Sequence, residues 1–551
     1  MTKIKQSRRF LLVLLYAALA VCMTTIINTK GIIWGGDDMV YHVGRLISLK
    51  SSFLDGTILP NISTSNFGMI GYGVNLFYPW VTLVPMVLLS LVIPDPILAY
   101  YCGIGFYMFV SFLIAHYAMK KFAGSETQAI VFSLIYGLAN YRLIDVFSRA
   151  DLAEYIATVF LPLVFLGFYE TFFRDYHKWP LLAAGMSLLL LTHVLTTVIV
   201  AFFFIIILLC CWWLANNYTA RLKAVIAAAI TSALASAVFL VPFLSELLYQ
   251  KYETPSPYVL KGKDTVKLLL SGLYNNADRS IDGNIYNIGI ILSIALVLGL
   301  FFFKSFSRRY KAIYLMAVLS FVMVMQIFPW RLFQHTPVSI IQFPFRFLLI
   351  ATLLISVIAA KLFTQLFANR QSLKVTTVSI SLLGVVLLGL WYVAVNNAFQ
   401  TKYLTASNQI VTAKTMSKKS IYEGYYEQYS SATAQPHIKS IEGHIGYLDG
   451  QKLLMTPTPN GQYLKFKLDK VAQGTKIDLP IVKYKYSTVK ANGKNMPNQK
   501  SPRGTVQFKA NRAYRNLTIQ VGYETSPLVW FSLILSLLTW LWLLLEIIYK
   551  D

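Results

Sequence analysis

Trp34-Gly35-Gly36-Asp37-Asp38-Met39-Val40-Tyr41-His42-Val43-Gly44-Arg45 follows directly on the first apolar run of the chain. Two adjacent carboxylates, a histidine and an arginine crowd the mouth of an otherwise greasy protein. The Asp pair stands where a helix would begin, and His42 and Arg45 fall three residues apart on one face of that helix. A solvated, capped helix beside a membrane explains these residues as structure. An active-site loop explains them as chemistry, and the rest of the chain decides between the two.

Outward from that stretch the sequence is a membrane protein. Of 551 residues 56% are hydrophobic and 13% charged, and mean hydropathy is +0.56. That balance over this length means many membrane passes. Apolar runs at 10–28, 77–93, 97–119, 127–141, 152–173, 180–196, 197–215, 224–248, 285–303, 310–328, 346–366, 374–395 and 528–548 predict about 12–13 hydrophobic segments. Residues 77–93 are short and hold Pro79 and Pro85, so this run is expected to be broken or re-entrant, without a net crossing.

Charge sets the expected orientation. Lys3, Lys5, Arg8 and Arg9 precede the first run, and Lys120/Lys121, Arg174/Lys178, Arg221/Lys223, Lys304 to Lys311, Arg370/Lys374 and Lys550 mark alternate loops. The positive-inside rule puts all of these in the cytoplasm of a bacterial cell membrane. The loop at 29–76 with its acidic pair, the Arg142–Glu154 stretch, His193, the 250–284 loop, Arg346 and the segment 396–525 then face outside.

Net charge is +25, and between Asn396 and Glu524 lie 19 Lys and Arg against 7 Asp and Glu. Spread over short loops and one late segment, this charge fits anionic lipid or an anionic envelope polymer and argues against nucleic acid. The four cysteines, Cys22, Cys102, Cys210 and Cys211, all fall in apolar runs and form no disulfide framework. No Walker loop or Gly-rich dinucleotide turn is present.

The domain plan is a helical module over 1–395, a β-rich domain over 396–525 and an anchor helix over 526–551. Alternation in Tyr463–Leu468, Ile481–Tyr486 and Leu517–Val521 predicts strands, with turns at Asn492-Gly493 and Pro502-Arg503-Gly504.

Three further places carry ionisable groups at membrane depth, where such groups usually meet a partner or a wet cavity. Tyr141 to Glu154 holds Arg149, Asp151 and Glu154 between two apolar runs, as an internal ion-pair cluster or as part of a site. Thr192-His193 interrupts a long apolar stretch, as a helix-turn histidine or a ligand. Arg346, in Gln342-Phe343-Pro344-Phe345-Arg346-Phe347, either snorkels to headgroups or clamps a phosphate, which guanidinium matches bidentately.

These motifs in this order resemble the YfhO-type bacterial membrane proteins: the acidic pair, Gly71-Tyr72-Gly73 with Phe77-Tyr78-Pro79, Tyr141-Arg142 with Arg149-Ala150-Asp151-Leu152-Ala153-Glu154, Leu191-Thr192-His193, and Gln342 to Phe347. Tyr486–Lys494 and Gly522-Tyr523 resemble the ending of that family. The chain also resembles a group labelled 6-pyruvoyl-tetrahydropterin synthase-related membrane proteins. That label implies nothing for this sequence, which has no zinc-binding His trio.

The resemblance implies a GT-C-like helical bundle with a small extracytoplasmic β domain. It implies a glycosyltransferase that takes sugar from a polyprenyl-phosphate donor such as undecaprenyl phosphate and passes it, with inversion, to an envelope acceptor: a teichoic acid, a glycolipid or a polysaccharide. Asp37 or Asp38 matches the expected catalytic or metal-linked carboxylate of the first external loop. No cofactor is certain, and a divalent metal is left open. Substrate-binding roles for His42, Arg45, Arg149, Asp151, Glu154, His193 and Arg346 rest on physical argument. A flippase for lipid-linked glycan and a non-catalytic assembly protein are the rival readings.

Overall fold

A computed structural model describes residues 2–34, 36–252, 259–278, 286–367, 372–401, 410–416 and 428–550. Gly35, Arg370 and parts of the 250–284 loop and of the 396–525 segment lie outside the described residues. The architecture is a helical bundle capped at one end by a small β unit. Among the described residues six helices are long and apolar enough to cross a membrane, or up to eight if each of two bent pairs is one span. Shorter apolar helices of 10–17 residues, such as Val194–Cys210 and Gly289–Phe301, pack among them.

The first helix, Thr2–Ile27, and the helix Pro96–Ala123 run antiparallel. Tyr16 stacks on Phe112 at 5.3 Å, Thr24 lies against Gly105, and the Tyr101 hydroxyl donates to the Ile32 carbonyl at 2.8 Å. Contacts in reversed order return the chain to the end it left. Residues 77–93 therefore make no net crossing. Their helix, Val84–Val92, has nine residues. At 1.5 Å per residue it spans about 13 Å, less than half an apolar bilayer core.

The two ends of the bundle differ in chemistry. At one end Arg174 pairs with Glu170 (3.0 Å), Arg221 donates to the Arg174 carbonyl (2.9 Å) and Arg309 to the Phe122 carbonyl (3.2 Å). At the other end sit the loop after the first helix, the turn before Leu152, His193, Arg346 and the β unit.

The helix Leu152–Phe173 is the spine of that second end. Asp151 caps it, its Oδ1 accepting from the Glu154 amide at 3.0 Å. An acidic cap with Glu three residues on is the sequence signature of a helix start. Its far half meets the helix Trp179–Leu190 through Gly167 and Gly185, where a Cβ at Gly167 would come within 2.7 Å of the Leu182 Cα. Small residues let helix backbones approach closely inside a membrane.

The β unit holds ten strands: β1 (Ile445–Leu448), β2 (Gln451–Leu454), β3 (Thr458–Asn460), β4 (Tyr463–Leu468), β5 (Lys476–Val482), β6 (Ser487–Ala491), β7 (Lys494–Met496), β8 (Gln499–Lys500), β9 (Thr505–Lys509) and β10 (Leu517–Tyr523). They form two five-stranded sheets, β2-β1-β5-β9-β8 and β3-β4-β10-β6-β7, over a core that includes Phe466, Ile477, Leu479, Val506, Phe508 and Ile519. Alternation at 463–468 and 517–521 matches β4 and β10. Asn492-Gly493 closes the β6–β7 hairpin with both residues at positive φ, 46° and 83°, the geometry such a two-residue turn demands. The expected strand Ile481–Tyr486 is different: β5 ends at Val482, and the chain then leaves its sheet toward β6 in the other. Ile481, Val482, Lys483 and Tyr484 are all buried, because this stretch touches the bundle as well as the sandwich core.

The glycine-rich 68–73 stretch is a packed dock for that unit. The Val482 amide donates to the Ile70 carbonyl (3.0 Å) and the Gly73 amide to the Tyr484 hydroxyl (2.8 Å), while Thr64 donates to the Gly461 carbonyl (2.9 Å). Glu246, at the end of a helix pair bent by 80° (Tyr218–Ala235, Ala237–Tyr249), completes the joint. Its carboxylate accepts from the Lys485 amide and from the Tyr252 and Tyr523 hydroxyls, at 2.8–3.2 Å. The last helix, Pro527–Lys550, then descends against the bent pair, where the Val238 amide donates to Ser536 Oγ at 2.9 Å.

Candidate functional site

The site is built from four pieces of chain. The first is the helix Met39–Leu54, with Asp38 at the position that precedes its first turn. The second is the bent pair Glu126–Gly137 and Asn140–Ser148, turned by 42° and finishing in a π-helical turn at Ile144–Ser148. Such turns break the regular ladder and re-aim side chains. Here the turn delivers Arg149 to the bundle interior and is followed by Ala150 at φ 51°. The third piece is the break at Leu191–His193, and the fourth is Pro344–Phe347.

Arg149 is the hub. Its Nη1 donates to Asp145 Oδ1 at 2.7 Å and lies 3.1 Å from Glu154 Oε1, and its Nη2 donates to Asp151 Oδ2 at 3.0 Å. All four side chains are at most 5% exposed. Tyr141 donates to Glu154 Oε1 at 2.7 Å, and His42 Nε2 reaches Asp151 Oδ1 at 3.3 Å. The internal ion-pair reading of this stretch is thus physically realised, with one carboxylate more than expected.

Asp38 joins the cluster through the backbone: its amide donates to the Arg149 carbonyl at 3.0 Å. Its side chain makes no capping bond, although it occupies the cap position. Burial, then the charge of Asp151, raise its carboxyl against the pull of Arg149 and Arg346, to about 7. Burial likewise pushes the His42 imidazole below its ordinary value despite Asp151 beside it. Asp37 is the exposed member of the pair.

Gly36 explains how the loop comes so close. A Cβ there would lie 2.6 Å from the carbonyl carbon and oxygen of Arg149. Gly36→Ala is expected to push Asp38 off the cluster and to cost about 1–3 kcal/mol of stability, as overpacking does. Thermal unfolding in detergent measures the second effect. An unshifted melting point would mean that the loop has room to spare.

Arg346 turns inward to the cluster instead of outward to headgroups. Its Nε is 3.6 Å from Glu154 Oε2, and its guanidinium lies 5.6 Å from the centre of the Phe343 ring. Among the described residues neither Nε nor Nη1 has a hydrogen-bond partner, though both are buried. Arg45 is fully buried, donates to the Pro79 carbonyl at 2.6 Å and lies over the Tyr78 ring at 4.1 Å. Tyr78 in turn stacks on His193 at 5.9 Å, and His193 Nδ1 shares a hydrogen bond with Thr196 at 2.7 Å.

All nine sequence candidates therefore gather at one end of the bundle. Sequence reading left out Asp145, Tyr141 and Tyr78 as site residues. The i, i+4 spacing of Asp145 and Arg149 carried a signal for the first. Nothing in an aromatic-rich sequence singles out Tyr78. Arg142, in the same charged stretch, goes elsewhere, donating to Thr158 Oγ1 at 3.0 Å. Among the described residues no group of three or more His, Cys, Asp or Glu side chains is arranged to hold a metal ion. The acidic oxygens here meet Arg149, Tyr141, His42 and the Glu154 amide, while Asp145 Oδ2 and Glu154 Oε2 have no hydrogen-bond partner among the described residues.

A family model described as "Bacterial membrane protein YfhO" matches residues 72–541, a span that begins past the acidic pair. An uncharacterized protein of Lactococcus lactis subsp. cremoris (strain MG1363) is 23% identical over 323 residues, 55% of this chain. The chain spans about half of that relative, 52% of its length. Among solved structures, the mycobacterial arabinofuranosyltransferase AftD is similar with a TM-score of 0.43 and 13% identity, over 71% of this chain and 27% of that one. ArnT from Cupriavidus metallidurans, bound to undecaprenyl phosphate, is similar with a TM-score of 0.36 and 11% identity, over 70% and 76%. At such scores neither similarity settles fold or activity.

Proposed function

This chain belongs to the YfhO family of bacterial membrane proteins, and we propose that it is a GT-C-like membrane glycosyltransferase working at the outer face. The observation that carries this reading is a half-buried Asp38 carboxyl that makes no capping bond, within the electrostatic reach of Arg346, a buried guanidinium with two N–H groups that have no hydrogen-bond partner among the described residues. A sugar-phosphate transfer needs one group to take a proton and another to receive phosphate charge.

In the proposed reaction an acceptor hydroxyl attacks the anomeric carbon of a polyprenyl-phosphate sugar. The new C–O bond forms as the bond to phosphate oxygen breaks, with inversion, and polyprenyl phosphate leaves with the electron pair. Asp38 takes the hydroxyl proton, general-base work that is worth 10²–10⁴-fold at a well-placed carboxylate. Arg346 stabilises the charge that grows on the leaving phosphate. Arg149 is not the phosphate ligand, because three carboxylates already engage it. It holds Asp151 and Glu154 in place, and Asp151 holds His42. Arg45, Tyr78 and His193 form a second wall against which the sugar packs.

The β unit supports an anionic acceptor such as a teichoic acid. Strand register aligns Lys465, Gln520 and Lys490 across one face of the second sheet. Tyr463 lies over Gly522, and Lys490 Nζ is 4.8 Å from the centre of its ring.

Envelope sugar analysis tests the reading. A deletion strain is expected to lose one glycan decoration, wild-type protein to restore it, and Arg346→Ala to restore less than a tenth while inserting normally. A deletion strain with an unchanged sugar profile sinks the proposal. Accumulation of lipid-linked sugar on the inner leaflet alone would point to a flippase.

A further inference from the structure

At the basic end, far from the acidic cluster, an apolar groove opens between helices. Met119, Phe122, Phe165, Tyr169, Ile313 and Met316 are among its walls, and of all its lining residues only Tyr169 brings a hydroxyl. Phe122 links groove to rim. Its ring packs on Tyr169 at 4.9 Å and on Tyr310 at 5.7 Å. The Arg309 guanidinium lies 5.0 Å from the Phe122 ring centre and 5.2 Å from that of Tyr310. The Lys361 ammonium lies 5.3 Å from the same Tyr310 ring.

Two cations thus share one aromatic ring at the mouth of a greasy slot. Among the described residues neither forms an ion pair. Like charges around one ring repel one another, and an anion that reaches both offsets the repulsion. An apolar slot and a cationic mouth are the two halves of one ligand chemistry, an acyl chain attached to a phosphate. The lining helices Pro96–Ala123, Leu152–Phe173 and Pro344–Phe367 are all candidate spans, so the slot lies at the depth of acyl chains.

We propose that this groove binds one anionic phospholipid of the leaflet at the basic end, its acyl chain along Phe122 and Phe165 and its phosphate between Arg309 and Lys361. The inference does not depend on the sugar-transfer reading. A slot filled by any lipid would show no headgroup preference, and that separates binding from mere filling.

The test is native mass spectrometry of the full-length protein in detergent with equimolar dioleoyl phosphatidylglycerol and dioleoyl phosphatidylcholine. Wild type is expected to retain one phosphatidylglycerol in clear preference. Each cation beside an anionic lipid surface is worth about fivefold, so Arg309→Gln/Lys361→Gln should lower the preference by about 25-fold. Leu166→Trp, which fills the slot, should lose the bound lipid whatever its headgroup. Melting points in lipid-free detergent that match wild type certify that both variants are folded. An unchanged preference in the double variant, or undiminished lipid on Leu166→Trp, overturns the proposal. So does a wild-type protein that retains both lipids equally.

Discussion

Arg149→Ala is expected to destabilise the protein by about 3–5 kcal/mol, the cost of breaking a buried ion pair by removing one partner. Asp145, Asp151 and Glu154 all point at this guanidinium from within 3.1 Å. Taking it away leaves three carboxylates together in a dry place. Arg346 cannot replace it, since it reaches only Glu154, at 3.6 Å. The loss has a signature beyond its size. Adding Asp145→Asn and Glu154→Gln to Arg149→Ala should recover most of the melting point, because the charges that made the vacancy costly are then gone. Thermal unfolding of wild type, the single variant and the triple variant in one detergent reads this directly. A single variant as stable as wild type would mean that water already screens the cluster.

Asp38→Asn is expected to cut sugar transfer by 10²–10⁴-fold, the usual contribution of a positioned general base. Asn keeps the size of the side chain and leaves the Asp38–Arg149 backbone bond untouched, so folding should survive. Wild-type transfer should also rise with pH. The base works ionised, and its carboxyl is raised to about 7, first by burial and then by Asp151. Activity should therefore be low at pH 6, half-maximal near 7 and level above 8. Asp37→Asn, altering the exposed neighbour, should leave that limb in place. A pH profile flat from 6 to 8, or full activity in Asp38→Asn, would remove Asp38 from the chemistry.

Much of this was legible in the sequence because membranes make residues expensive. An ionisable group at depth must find a partner, so Arg149, Asp151, Glu154, His193 and Arg346 stood out from their apolar surroundings without any structure. Pro79, Pro85 and the shortness of 77–93 were enough to deny that run a crossing, and the antiparallel contacts of Tyr16, Thr24 and Tyr101 agree. What the sequence hid was selection among equals. Arg142 and Arg149 look alike in a list of charges, yet only a π-helical turn at Ile144–Ser148 sends the second to the cluster and leaves the first with Thr158. Tyr78 is one of 34 tyrosines, and only tertiary packing places it between Arg45 and His193. The alternation at Ile481–Tyr486 misled for a related reason: the chain leaves its sheet after Val482, and Ile481 to Tyr484 are buried together, so the pattern there does not mark a strand with one wet face.

The dock between the early loop and the β unit has a consequence for how the chain is made. Thr64 bonds Gly461, Gly73 bonds Tyr484 and Asn61 bonds Thr525, pairs separated by 397, 411 and 464 residues. At 5–20 residues per second a ribosome needs about 20–90 s to deliver the second partner after the first. Through that interval Ile70 and Tyr72, both destined for burial, lack the partners that the late chain brings, Val482 and Tyr429. Biogenesis of this protein therefore includes a waiting period, in which a half-made molecule offers a sticky loop to whatever holds nascent chains outside the membrane.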